Sequence, residues 1–236
     1  CFSGSFPRIV GGYKAPEEYG KFHASIQNLT GYHVCGGAVV SKWNVVTAAH
    51  CIHRYVYAGT HDLDVGGQQY DVESIIIYDK YNYTSKEHDI AILKTEKPFD
   101  LRCIRILRLG GQPLMEGDKV VLLGFGAHEA NGLSSRKMYV LDLPVFSQAI
   151  CEYAMRYNRP IYKEMFCTFT KFGQGSCHGD SGSPLIKGDE LVGVASWGIP
   201  CAVGFPDVHT RITPYIEWIQ KHIRKSFCVT RKRFYV

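Results

Sequence analysis

The ten residues from Gly175 to Pro184, reading Gly-Ser-Cys-His-Gly-Asp-Ser-Gly-Ser-Pro, constrain this chain more than any other stretch. Its glycines at 175, 179 and 182 break regular structure, because glycine enters backbone conformations and close approaches that other residues resist. A serine held between Asp180 and Gly182 in such a bend can project its hydroxyl outward while neighbouring N–H groups converge on one point. That geometry suits a nucleophile with an oxyanion site beside it. Taken alone, the same string is also an ordinary surface turn.

Two further motifs decide between these readings. Thr47-Ala48-Ala49-His50-Cys51 supplies a base at the end of a strand. His88-Asp89, followed by the apolar run Ile90–Leu93, supplies a carboxylate where a buried strand begins. A buried carboxylate needs a hydrogen-bond donor, and an imidazole N–H is suitable. With Ile9-Val10-Gly11-Gly12 near the start, the chain resembles the chymotrypsin-like, trypsin-fold serine endopeptidases from Cys1 to about Ile223. The resemblance implies an all-β fold of two packed six-stranded antiparallel β-barrels with a C-terminal helix. It divides the chain into a propeptide (1–8), an N-terminal barrel with His50 and Asp89 (9–110), a C-terminal barrel and closing helix with Ser181 (111–223), and a basic tail (224–236). Pro98–Pro113, with Cys103 inside it, reads as the connection between barrels, and Thr213–Lys225 has the apolar spacing of the closing helix.

The resemblance also assigns roles. Ser181 is the nucleophile, His50 the general base and Asp89 the group that orients it, with the N–H groups of Gly179 and Ser181 as the oxyanion hole. Cleavage after Arg8 is expected to free an amine on Ile9 that turns inward and pairs with Asp180; with residues 1–8 still attached, the oxyanion hole and pocket wall are expected to be unassembled. The substrate pocket is assigned to Gly175, Ser176, His178, Ser196, Trp197, Gly198 and Asp207. Gly175 stands where trypsins carry Asp, and Asp207 where the family normally has Gly. This exchange resembles the broad-specificity collagenolytic proteases of arthropods. Asp207 then either attracts basic side chains from the wall or is satisfied internally and merely narrows the pocket. Ser183, where Gly is common, and Phe125, where Trp is, are the departures near the nucleophile. The family's disulfides are expected at Cys35–Cys51, Cys151–Cys167 and Cys177–Cys201, with Cys1–Cys103 tethering the propeptide and Cys228 left over. His23, His33, His53, His61, His128, His209 and His222 lack catalytic context and read as structural or surface groups.

Composition agrees with a secreted enzyme. Nine cysteines without a CxxC pair fit an oxidising compartment better than a zinc or thioredoxin site, and Asn28-Leu29-Thr30 and Asn82-Tyr83-Thr84 are glycosylation sequons. The chain is expected to begin after a removed signal peptide. No apolar run is long enough to span a membrane, and a formal charge of +5 does not by itself imply nucleic acid. No cofactor is needed, and no metal site is expected: Thr60 and Gln68 stand where the calcium loop of trypsin-like relatives has acidic ligands. The expected partners are protein or peptide substrates, an activating trypsin-like protease and protein inhibitors, for a monomeric enzyme. The cationic run from Lys221 to Arg233 reads either as a solvated end or as a docking patch for an anionic partner. A second reading of the whole chain is a protease-fold binding protein whose site never assembles.

Overall fold

The computed structural model describes residues 9–228, with side chains as far as Arg224. Residues 1–8, and with them Arg8 and the Cys1–Cys103 bridge, lie outside the described residues, as do most of the basic tail and the Cys228 side chain.

A two-residue strand β1 (Tyr13–Lys14) and a single helical turn α1 (Glu17–Gly20) precede the first barrel. Its strands are β2 (His23–Gln27), β3 (His33–Val39), β4 (Asn44–Thr47), β5 (Tyr55–Ala58), β6 (Gln68–Ile77) and β7 (Ala91–Thr95), closed in the order β2-β3-β4-β7-β6-β5. The short β-branched runs Val45-Val46 and Ile90–Leu93 favour strands because their side chains pack well on a pleated surface; all are fully buried. The linker strand β8 (Arg108–Leu109) pairs in parallel with the second barrel at Glu190–Leu191.

The second barrel is built from β9 (Lys119–Gly124), β10 (Tyr139–Phe146), β11 (Met165–Thr168), β12 (Pro184–Lys187), β13 (Glu190–Trp197) and β14 (Asp207–Arg211). Antiparallel pairing runs β10-β11-β14-β13-β12-β9, and β9 pairs with β10 to close it. Each barrel thereby satisfies its strand edges internally. Helix α2 (Gln148–Met155) carries Cys151, whose bridge partner Cys167 lies in β11. The final helix α3 (Ile216–Cys228) follows a 3₁₀ turn at Thr213–Tyr215 with Pro214 in its first turn. It runs three residues past the expected end at Lys225, because nothing in Ser226-Phe227-Cys228 breaks a helix.

Three disulfides form as the resemblance implied: Cys35–Cys51, Cys151–Cys167 and Cys177–Cys201. Cys103 is exposed and unbridged among the described residues. Asp62 and Asp64, the acids of the Gly59–Tyr70 loop, pair with Lys137 and Arg136. The Ala127–Lys137 loop is less exposed than its composition suggests, since Ala127 and Ser135 are buried and hydrogen-bond His178 and Phe125.

Candidate active site

The catalytic candidates come from strand ends where the two barrels meet. His50 follows β4, in a turn closed by Cys51 N–H donating to the Ala48 carbonyl at 3.0 Å and anchored by the Cys35–Cys51 bridge. Asp89, fully buried, directly precedes the β7 run. Its carboxylate accepts from His50 Nδ1 at 2.7 Å, from the His50 backbone N–H at 3.1 Å and from the Ser196 hydroxyl at 2.5 Å. A proton on Nδ1 leaves the Nε2 lone pair facing away from Asp89, free to act as a base.

Ser181 precedes β12. Two turns shape its loop, Asp180 N–H to the Cys177 carbonyl and Ser183 N–H to the Asp180 carbonyl. Gly179, at φ 93, occupies a conformation that needs glycine. The Ser181 carbonyl is held by the Gly36 N–H at 2.8 Å. Among the described residues the N–H groups of Gly179 and Ser181 donate to no other backbone group, and both residues line a cavity of about 270 Å³. Ser176, His178, Ser196, Trp197 and Gly198 line the same cavity, whereas Gly175 and Asp207 lie outside its lining. No hydrogen bond joins Ser181 to His50 among the described residues.

A buried carboxylate fixing one face of an imidazole, beside a serine in a glycine-shaped loop with free N–H groups, is the machinery of acyl transfer. Comparison with protein-family models places residues 9–219 in Trypsin. The chain belongs to the trypsin family of serine proteases. Among its relatives are chymotrypsin-2 of Vespa crabro, 34% identical with 91% of this chain and 99% of that protein covered. Cationic trypsin-3 of Rattus norvegicus is 35% identical over 92% of this chain and 90% of its own length. A trypsin-family chain of this kind is a serine endopeptidase acting on peptide bonds.

Ile9 and Asp180, the pair expected once the Arg8–Ile9 bond is cut, have other partners in this uncut chain. Ile9 is fully buried in the second barrel's core, the cluster that includes Leu122 and Leu185. Its nitrogen donates to His128 Nδ1 at 3.2 Å rather than pairing with Asp180. The Asp180 carboxylate instead accepts from the N–H groups of Gly126 at 2.9 Å and Cys177 at 3.0 Å. Burial pushes its pKa up to about 7, partly opposed by those two bonds. A nitrogen still joined to Arg8 is an uncharged peptide N–H and has no ion pair to offer. Nor is the loop unassembled, because two backbone donors already satisfy Asp180 and keep the 177–183 turns in place.

Asp207 is held more tightly than the sequence suggested. Its Oδ2 accepts from the Ser176 N–H at 2.7 Å and its Oδ1 from the Ser176 hydroxyl at 2.8 Å. A side chain at Gly175 would put its Cβ 2.7 Å from Oδ2, and one at Gly198 would put it 3.0 Å from Oδ1. The two glycines therefore make room for this carboxylate, which lies behind Ser176, outside the cavity lining. Burial raises its pKa to about 6.

Two histidines read as merely structural prove to support the nucleophile loop. His33 donates from Nε2 to the Gly179 carbonyl at 3.0 Å, and its Nδ1 accepts from the Ser25 hydroxyl at 2.8 Å. His23 lies 3.4 Å from the Ser183 hydroxyl, and Phe125 packs edge-on against both rings. Ser183 fits because residue 36 is glycine: a Cβ there would lie 2.0 Å from its hydroxyl. Only the fold brings residues 23, 33, 36 and 183 together, so no local signal announces them.

Proposed function

We propose that this protease is a secreted proenzyme, activated by cleavage after Arg8, which hydrolyses peptide bonds through an acyl-enzyme with chymotrypsin-like to broad preference for the scissile residue. The observation that carries the reading is the Asp89 carboxylate, fixed between His50 and Ser196 beside the cavity onto which Ser181 opens. In the forward step Ser181 Oγ bonds the scissile carbonyl carbon while its proton passes to His50 Nε2. The resulting oxyanion takes the N–H bonds of Gly179 and Ser181. The C–N bond then breaks as His50 returns the proton to the leaving amine, and water repeats the sequence to release the acid.

Cleavage at Arg8 is supported by strain at the next residue. Ile9 has φ 41, a left-handed conformation that costs a β-branched residue on the order of 1–3 kcal/mol. A free terminus has no φ to hold, and its ammonium would give the raised Asp180 a cationic partner. Secretion is supported by the three disulfides and by the sequons, with Asn82 exposed and Asn28 partly so. The testing experiment is to cut the chain after Arg8 with trypsin and titrate Ser181 with an organophosphonate. Stoichiometric labelling with a matching gain in peptide hydrolysis is expected; absence of both in the cut chain would favour a binding protein instead.

Breadth of specificity rests on Asp207. Its oxygens are engaged by Ser176, yet a carboxylate offers about four lone-pair sites, so a basic side chain reaching the cavity base still finds an acceptor. The fit is indirect, and large apolar side chains gain from burial in the same cavity. Asp207→Asn keeps the volume and removes the charge. It is expected to lower kcat/KM about tenfold for Arg and Lys peptides, the loss of roughly one charge-assisted bond, while Phe and Leu peptides change little. An acid with a pKa raised to about 6 is charged only above that pH. The Arg-to-Phe ratio of kcat/KM should therefore climb as pH rises through 6. A flat ratio, or equal loss on all four substrates, would make Asp207 purely structural.

A further inference from the structure

Ile9 is seated in the core of the second barrel before any cut is made. Its side chain is fully buried beside Leu122, Tyr139 and Leu185, and its N–H donates to His128 Nδ1 at 3.2 Å. The residues after it are pinned as well. The Ile9 carbonyl accepts from the Gly12 N–H at 2.7 Å, and the Val10 carbonyl from the Gly175 N–H at 3.1 Å. Gly11, at φ 82, approaches residues 173 and 174 so closely that a Cβ there would stand 2.4 Å from the Gln174 side chain. This segment is therefore docked against residues 173–175, directly before Ser176 of the cavity lining.

The nucleophile loop is built to match. Asp180 takes the N–H groups of Gly126 and Cys177, and burial keeps its carboxyl neutral below about pH 7, which lowers its need for a cation. The Gly179 carbonyl is held by His33 Nε2 at 3.0 Å. Among the described residues the N–H groups of Gly179 and Ser181 have no other backbone acceptor. His50 already bonds Asp89. What opposes this arrangement is the left-handed φ of 41 at Ile9. Burying a whole isoleucine side chain and satisfying its N–H are together large enough to offset strain at one residue.

We propose that the uncut chain is itself a peptidase: His128 holds the Ile9 peptide nitrogen in the core, and Ser181 faces an oxyanion site that is assembled before Arg8 is cut. The proposal rests on the protease reading above and extends it to the chain before cleavage. Cutting raises this activity rather than creating it. It gives Asp180 a cationic partner and releases the strain at Ile9. The substrates are those of the cut form, because the same cavity receives them.

The test sets the full chain carrying Arg8→Gln, which trypsin does not cut at that bond, beside the wild-type chain cut after Arg8. N-terminal sequencing confirms that none of the variant begins at Ile9. Both are treated with a fluorophosphonate: Ser181 Oγ bonds the phosphorus, its proton passes to His50 and fluoride leaves. The uncut variant is expected to label completely, about ten- to a hundredfold more slowly than the cut chain, the difference one charge-assisted bond makes. Peptide hydrolysis should show the same ratio. His128→Ala, made in both forms, should lower the uncut-to-cut ratio about fivefold, because only the uncut chain relies on that single bond. His128→Asn, whose Oδ1 can accept in place of Nδ1, should restore it. A ratio between two forms of one variant cancels any general loss of activity. A cut chain that labels while the Arg8→Gln chain does not, or a ratio unmoved by His128→Ala, would overturn this proposal alone. A cut chain that fails to label would overturn the protease reading and the proposal with it.

Discussion

Asp89→Asn is expected to lower kcat/KM of the activated protease about 10⁴-fold, the loss that follows from the wrong imidazole tautomer in related enzymes. The carboxylate now accepts from His50 Nδ1, from the His50 backbone N–H and from Ser196. An amide offers one acceptor oxygen where there were two. If that oxygen takes the place of Oδ1 and keeps the backbone donor, the NH₂ takes the place of Oδ2, faces both Nδ1 and the Ser196 hydroxyl, and obliges Nδ1 to accept. The proton then sits on Nε2, which can no longer take one from Ser181. Because the shape of the side chain is kept, the folded state should survive, and circular dichroism with a thermal melt checks this. Ser196→Ala removes one donor and leaves the tautomer intact, so its effect should be far smaller. Steady-state kinetics on a single peptide would decide, and a loss below a hundredfold for Asp89→Asn would refute the role given to that carboxylate.

Stability of the uncut chain should rise between about pH 4.5 and 6 by roughly 1.4 kcal/mol per pH unit. Burial lowers His23 to about 3, His33 to about 4 and His209 to about 3, from an ordinary 6.5. In that window the unfolded chain binds three imidazole protons that the folded chain does not, which makes stability grow with pH. Burial raises Asp180 to about 7 and Asp207 to about 6, from 3.8. Over most of that window the folded chain holds these two carboxyl protons and the unfolded chain has lost them, which acts in the opposite direction. Three against two leaves a net of one proton and a positive slope. The rise should level off near pH 7, above the unfolded histidine value, and amounts to a Tm gain of about 4–8 °C for a chain of this size. Asp207→Asn removes one opposing group and should about double the slope; His209→Gln removes one histidine and should flatten it. Melting curves across pH would test the balance, and a Tm that falls from pH 4.5 to 6 would show that the carboxyls dominate.

Much of this molecule was legible as a string because the family's chemistry is carried by short contiguous motifs. Thr47–Cys51, His88–Leu93 and Gly175–Pro184 each pair a reactive side chain with the local residues that shape its turn or strand. Strand punctuation and Pro214 at the closing helix were readable for the same local reason, whereas the three cysteine pairs followed only from the family resemblance. The run of the helix past Lys225 was not readable, since nothing in Ser226-Phe227-Cys228 marks a continuation or a stop.

What lay beyond the sequence depends on which distant residues the two barrels press together. Asp207 and Ser176 are 31 positions apart, and only the pairing of β14 beside the loop brings the carboxylate onto the Ser176 hydroxyl and N–H. His33 and Gly179 are separated by 146 positions and meet through the closure of one barrel against the other. The choice of His128 rather than Asp180 as the partner of the Ile9 nitrogen is likewise spatial, since a peptide nitrogen bonds whatever acceptor the core places beside it. The sequence by itself pointed to the fold, the reaction class and the proposed triad, because those rest on local motif chemistry. The tertiary structure alone decided the buried charges and the second-barrel seat of Ile9, because burial and long-range contact set a group's charge and partners.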